Sequence, residues 1–153
     1  MLSKKAKYGL RALLFLAKEY GHGPVLISEI SQRESIPKKF LELILLDLKN
    51  QGVLQSKKGK GGGYFLAKAP QVVTLGHVIR ALDGPLAPLP CVSQTAYVKC
   101  EECKDEMTCG IRIVMKEVRD ATAKILDGAT LAEVLERVER IAKGAEEISR
   151  YSI

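Results

Sequence analysis

The sequence predicts a mainly α-helical chain with one small β-hairpin and a long C-terminal helix. Three observations lead there. Leu41, Ile44, Leu45 and Leu48 recur at i, i+3, i+4 and i+7, the apolar stripe of an amphipathic helix. Val53-Leu54 and Tyr64-Phe65-Leu66 flank a run of lysine and glycine from Lys57 to Gly63, the pattern of a hairpin with a basic, glycine-rich tip. From Gly110 onward, Ile111, Val114, Met115, Val118, Ala121, Ile125 and Leu126 form an apolar seam at helical spacing, flanked by charges.

In chain order, residues 4–20 read as an amphipathic helix with Tyr8, Leu13, Leu14, Leu16 and Ala17 on the apolar side, ended by Gly21-His22-Gly23-Pro24. Val25-Leu26-Ile27 reads as a short extended piece. Ser28 is placed to cap a second, short helix, SEISQRES, because a serine oxygen accepts from the free N–H groups of a first turn. Ile36-Pro37 breaks that helix, and Pro37 suits the first position of the next, PKKFLELILLDLKNQG. Gly52 stands where a left-handed cap is wanted. Two helices joined by a short break describe a helix-turn-helix. A basic hairpin directly after one is the wing of a winged helix. Thr74 caps a fourth helix, TLGHVIRALDG, with Leu75, Val78, Ile79 and Leu82 on one face. Pro85, Pro88 and Pro90 then open a polar, aperiodic loop. The helix from Gly110 reads as a dimerisation helix, since symmetric DNA sites favour dimers. Thr130 with Glu133 makes a capping box for a last helix, TLAEVLERVERIA. The final ten residues are polar and read as loose. The organisation is thus residues 1–84, a winged helix-turn-helix; 85–109, a proline-rich link and cysteine loop; and 110–153, the dimerisation helix and a terminal helix.

The net charge of +6 is unevenly placed. Residues 1–70 hold 13 Lys/Arg against 5 Asp/Glu, and residues 71–153 hold 11 against 13. A basic first half suits a polyanionic partner, double-stranded DNA above all. In a winged helix the third helix enters the major groove by its N-terminal end, which puts Lys38, Lys39 and Glu42 at bases and phosphates. The lysines position the protein on phosphate, whereas a carboxylate at Glu42 accepts from cytosine and is repelled by phosphate. Lys57, Lys58 and Lys60 equip the wing. The glycine-rich tip is no nucleotide cradle: it has no GK[ST] ending and opens onto no helix. No apolar run approaches 18 residues, so no membrane span is expected. Arg11, Lys18 and Glu19 interrupt the apolar start, which argues against a signal peptide and for a cytoplasmic protein with reduced thiols. No triad or paired carboxylates suggest an enzyme or a small-molecule substrate. His22 and His77 read as bystanders.

All four cysteines lie between Cys91 and Cys109, spaced C-x8-C-x2-C-x5-C. Four thiols gathered on one polar loop suit an iron–sulfur cluster or zinc, ahead of a redox disulfide or inert thiols. Cys100-x2-Cys103 is a common zinc spacing, but zinc sites usually carry two such knuckles. The residues alone leave cluster and zinc open.

The opening LSKKAKYGLRALLFLA, the PKKFLELILLDLKNQG helix, the wing GKGGGYFLAKAP, the TLGHVIRALDG helix and the cysteine loop entering a long helix together resemble the IscR/NsrR/CymR superfamily of bacterial winged-helix regulators, from Leu2 to about Ala142. The resemblance implies a homodimeric transcription regulator. In its sensor branches an iron–sulfur cluster on the loop alters binding to a DNA operator, and Glu42 matches the base-reading glutamate of the Leu41-Glu42 step. Cys91, Cys103 and Cys109 match the usual three cluster cysteines. The variable fourth ligand of the superfamily falls on Lys7 or Arg112 here, and neither cation is a ligand. Cys100 is the extra thiol that completes an all-cysteine set. A [2Fe–2S] cluster is favoured over [4Fe–4S], with zinc as the alternative. A cluster-free or thiol-sensing member of the same fold, and an iron–sulfur redox protein using the winged helix for protein contacts, are the competing readings.

Overall fold

The computed structural model describes residues 2–152. Helices α1 (Lys4–Lys18), α2 (Ile27–Glu34) and α3 (Lys38–Asn50) are followed by strands β1 (Leu54–Lys57) and β2 (Gly63–Leu66) and by α4 (Leu75–Asp83). A single 3-10 turn, Pro90–Val92, interrupts the following loop before α5 (Gly110–Gly128) and α6 (Leu131–Tyr151). The fold is a winged helix with a C-terminal helical pair.

The stripe read on α3 is the centre of the core. Leu41, Ile44, Leu45 and Leu48 are fully buried, packed with Leu13 and Leu16 of α1 and Val78 of α4. Tyr8 meets Phe40 edge-on, ring centroids 5.6 Å apart, which fixes the first turn of α3 against α1. The end of α3 is closed by two reverse bonds, Val53 N–H to the Leu48 carbonyl at 2.9 Å and Gly52 N–H to the Lys49 carbonyl at 3.0 Å. Gly52 sits at φ +75°. This is a Schellman cap, and it aims the chain straight into the hairpin.

The strands pair antiparallel, with Leu54 opposite Leu66 and Lys57 opposite Gly63. Val25 adds a separate rung on the other edge of β2: its N–H donates to Tyr64 O at 2.9 Å, and Tyr64 N–H donates to Val25 O at 2.8 Å. Gly63 makes that approach possible. It has φ +143°, and a Cβ there would lie 2.2 Å from the Val25 carbonyl oxygen. Gly63→Ala is therefore expected to cost about 1–3 kcal/mol, through backbone strain and loss of the Val25 rung. Thermal unfolding of the variant measures it; an unshifted midpoint would show that the wing root is not held this way.

Three local expectations change. Ser28 does not cap α2: Leu26 occupies the cap position, with no side-chain cap bond, and the helix begins at Ile27. The Val25 rung ends the extended segment early, and half-buried Ile27 turns in with the first helical turn. Pro37 precedes α3 as its cap residue, and Leu41 N–H donates to its carbonyl at 2.9 Å. The C-terminal residues expected to be loose continue α6 to Tyr151. Ala145 and Ile148 continue there the apolar stripe of Val134, Val138 and Ile141. Thr74 and Thr130 cap α4 and α6 as expected, the latter in a full capping box.

The C-terminal pair is joined to the winged unit around the α5–α6 turn. Leu75 N–H donates to Ala129 O at 2.8 Å, and Leu131 N–H donates to Val73 O at 2.9 Å. Leu131 is fully buried and belongs to the same core. Beyond it, α5 buries none of its residues, and Ile111, Val114, Val118 and Ile125 of the predicted seam stand exposed. No described helix is long and apolar enough to cross a membrane.

Candidate nucleic-acid interface and cysteine pocket

The Schellman turn and the short hairpin fold the wing back toward the start of α3. The two meet at a cleft of about 470 Å³ lined by Lys38 and Glu42 of α3, Lys57 and Lys58 of the wing, and the first residues of α2. Four of the six predicted DNA-facing residues thus share one concavity. Lys39 and Lys60 do not line it. Both are exposed, Lys39 a step round α3 and Lys60 at the tip of the wing. Lys49 also lines the cleft, and it is absent from the residues expected there. The signal was present: Lys38, Glu42 and Lys49 fall four and seven residues apart, one face of a helix. Tyr64 and Ser28 complete the wall between wing and α2. The surface therefore offers cations on two elements that diverge from one floor, with a single carboxylate between them. Such a set has the chemistry to hold a phosphate backbone and to leave one acceptor for a base edge.

The second site lies at the root of α5. Cys91, Cys100, Cys103 and Cys109 all line one cavity of about 230 Å³, together with Leu89, Glu106, Ile111 and Arg112. Cys91 is buried on the 3-10 turn. Cys109 occupies the cap position of α5, and Ile113 N–H donates to its carbonyl at 3.0 Å. Cys103 N–H donates to the Cys100 carbonyl at 3.3 Å, the tight turn expected of C-x2-C. All four thiols are free, and among the described residues no three metal-ligating side chains stand together at holding geometry. The thiols face one space without being drawn to a common point.

Lost solvation pushes the Cys103 thiol up from its ordinary range, and the adjacent Cys109 and Cys100 sulfurs push the same way. Metal binding here would therefore release protons. Tyr97 donates its hydroxyl to Glu106, which raises the tyrosine above its ordinary range. Glu106 was not singled out from the sequence. It is one of four acidic residues in the loop, and nothing in their spacing distinguishes the one that faces the thiols. As a donor set the cavity fits a soft metal or cluster: four sulfurs, apolar walls from Leu89 and Ile111, and the Arg112 cation to offset thiolate charge.

A family model described as Rrf2, iron-dependent transcriptional regulator, matches residues 2–137. An rrf2-like HTH-type transcriptional regulator of Rhodobacter capsulatus is 44% identical over 96% of this chain and 100% of its own. The HTH-type transcriptional regulator IscR of Erwinia tasmaniensis is 30% identical over 90% of this chain and 80% of its own. Among solved structures, CymR, the global cysteine regulator of B. subtilis, superposes with a TM-score of 0.74 at 31% identity, over 90% of this chain and 97% of that one.

Proposed function

The chain belongs to the Rrf2 family of transcriptional regulators, not enzymes, and from that premise we propose a cytoplasmic homodimer whose binding to a DNA operator is controlled by an iron–sulfur cluster held by Cys91, Cys100, Cys103 and Cys109. The observation that carries this reading is the gathering of all four thiols on one cavity at the start of α5. When bound, the cluster supplies a cross-link among its thiolate ligands. The chain's own residues do the rest. Cys91 anchors the buried turn, Cys100 and Cys103 present two sulfurs from one tight turn, and Cys109 joins the set to the cap of α5. Arg112 offsets their charge. The exposed face of α5 carrying Ile111, Val114, Val118 and Ile125 packs against a second copy. Ordering the loop then resets the separation of the two copies of α3. Lys38, Lys39, Lys57, Lys58 and Lys60 hold the phosphates and Glu42 reads a base, over half-sites about one helical turn apart.

Protein purified without oxygen is expected to contain iron and sulfide and to absorb in the visible. Cys91→Ser, Cys103→Ser and Cys109→Ser should each lose the cofactor, and Cys100→Ser should lose it or change its spectrum. Unchanged iron in Cys91→Ser or Cys109→Ser refutes the ligand set. An unaltered spectrum in Cys100→Ser moves the fourth ligand elsewhere, to Glu106 first, since it lines the same cavity. Stoichiometric zinc without sulfide would instead favour the reading suggested by the Cys100–Cys103 turn. No metal, with operator affinity that follows reversible thiol oxidation, would favour a thiol sensor.

A further inference from the structure

Two arginines of α5 fasten it to the turn that carries Cys91. Arg112 and Arg119 lie seven residues apart, two helical turns, and so share a face. Arg112 Nε donates to the Cys91 carbonyl at 3.3 Å. Arg119 Nη1 donates to the Val92 carbonyl at 2.5 Å. Both carbonyls belong to the 3-10 turn Pro90–Val92, and Cys91, only 8% exposed, is the buried member of the four cysteines. Arg119 is itself held in place. Asp120 Oδ1 accepts from its Nε at 2.8 Å and also from its Nη2, and only 11% of the arginine side chain is exposed. A guanidinium withdrawn from water needs its donors satisfied, and the fork shape suits a carbonyl on one prong and a carboxylate on the other.

These fastenings matter because α5 buries none of its own residues. Its attitude to the winged unit rests on a few polar ties: the two arginines, Asp127 near its far end, which accepts from Arg80 of α4 at 2.6 and 2.9 Å, and Ala129 just beyond it, whose carbonyl accepts from Leu75 N–H at 2.8 Å. A helix of 19 residues is about 28 Å long and its far end is held at Asp127 and Ala129, so a tilt moves chiefly the cysteine end, with the exposed Ile111 and Val114 on it.

We infer that Arg119, assisted by Arg112, is the positioning residue that transmits the state of the cysteine loop to α5. What is transmitted rests on the regulatory reading above; the fastening itself does not. Any movement of Cys91 toward the other three thiols carries the Cys91 and Val92 carbonyls with it, and the arginines pass that movement to the helix. Conversely, an intact fastening keeps Cys91 covered.

The test uses full-length Arg119→Gln and Arg119→Lys with two readouts. The first is the rate at which a maleimide labels Cys91 in metal-free protein, measured by peptide mass spectrometry against exposed Cys100 as internal reference. Loss of one charge-assisted hydrogen bond predicts roughly ten-fold faster labelling of Cys91 in Arg119→Gln, with partial recovery in Arg119→Lys. The second is the ratio of operator affinities with and without the cofactor. It should fall toward one in Arg119→Gln while iron content stays as in the unsubstituted protein. Unchanged Cys91 labelling, or an unchanged affinity ratio at full iron content, overturns the inference. If the unsubstituted protein binds no cofactor, the regulatory reading falls, and the labelling rates still judge the fastening. Should Arg119→Gln fail to fold, Asp120→Asn loosens the same guanidinium and is expected to accelerate Cys91 labelling to a smaller degree. No acceleration there would equally overturn it.

Discussion

Raising the salt from 50 to 200 mM weakens operator binding by roughly 10³–10⁵-fold, the span expected for six to ten neutralised phosphates. The basis is the distribution of charge. Five lysines, at 38, 39, 57, 58 and 60, are exposed on α3 and the wing, so the proposed dimer would present about ten. Each lysine held against phosphate displaces condensed counterions, and the free energy of that release shrinks as bulk salt rises. Lys58→Ala should lower affinity for all sequences alike and flatten the salt slope by about one unit for each phosphate no longer neutralised. Glu42→Ala should behave differently. It removes a carboxylate from a cleft whose other charged residues are all lysines, so overall affinity holds or rises while discrimination at one base pair is lost, a change of about 1–3 kcal/mol. Titrations over a salt series with operator and scrambled duplexes separate the two effects. A slope near zero would mean that the basic face does not meet DNA. A uniform loss in both variants would remove the base-reading role of Glu42.

Leu45→Ala is expected to destabilise the protein by about 2–5 kcal/mol. Leu45 is fully buried in the stripe of α3, among Ile44, Leu41 and Leu48 and the facing helices. Truncation removes transfer free energy and leaves a cavity that rigid neighbours on α1 and α4 cannot fill. For a domain of this size each kcal/mol shifts the melting midpoint by about 2–4 °C. The loss is also a large share of a typical net stability of about 5–15 kcal/mol. Leu46, on the same helix but exposed, is the matched control: Leu46→Ala should cost under about 1 kcal/mol. Thermal and urea unfolding check both. Similar losses at the two positions would mean that α3 is turned differently from the structure described above.

The readable features of this chain were those written within a few residues of themselves. The Leu41–Leu48 stripe, Thr74, the Thr130–Glu133 box and Gly52 all act through neighbours three to six positions away, so spacing alone located them. Ser28 misled because its capping chemistry is local, while the start of α2 is decided by a rung between Val25 and Tyr64, 39 positions away. The helical C-terminus was missed because polar composition outweighed a stripe that in fact continues to Ile148. In the cysteine loop, spacing proposed four thiols for one site, and the structure turned all four to one cavity. Spacing could not say which thiol is buried or that Glu106 joins them.

By itself, then, the sequence determined the helices and wing, the basic face on α3 and its hairpin, and the concentration of sulfur at the head of α5, because periodicity, charge and thiol spacing are properties of the covalent chain. Only the tertiary structure decided that wing and α3 share one cleft, that Cys91 alone is covered, and that Arg112 and Arg119 reach the carbonyls of its turn. Those depend on pairings across about 15 residues or more, whose geometry is set by how the fully buried leucines of α1, α3 and α6 pack.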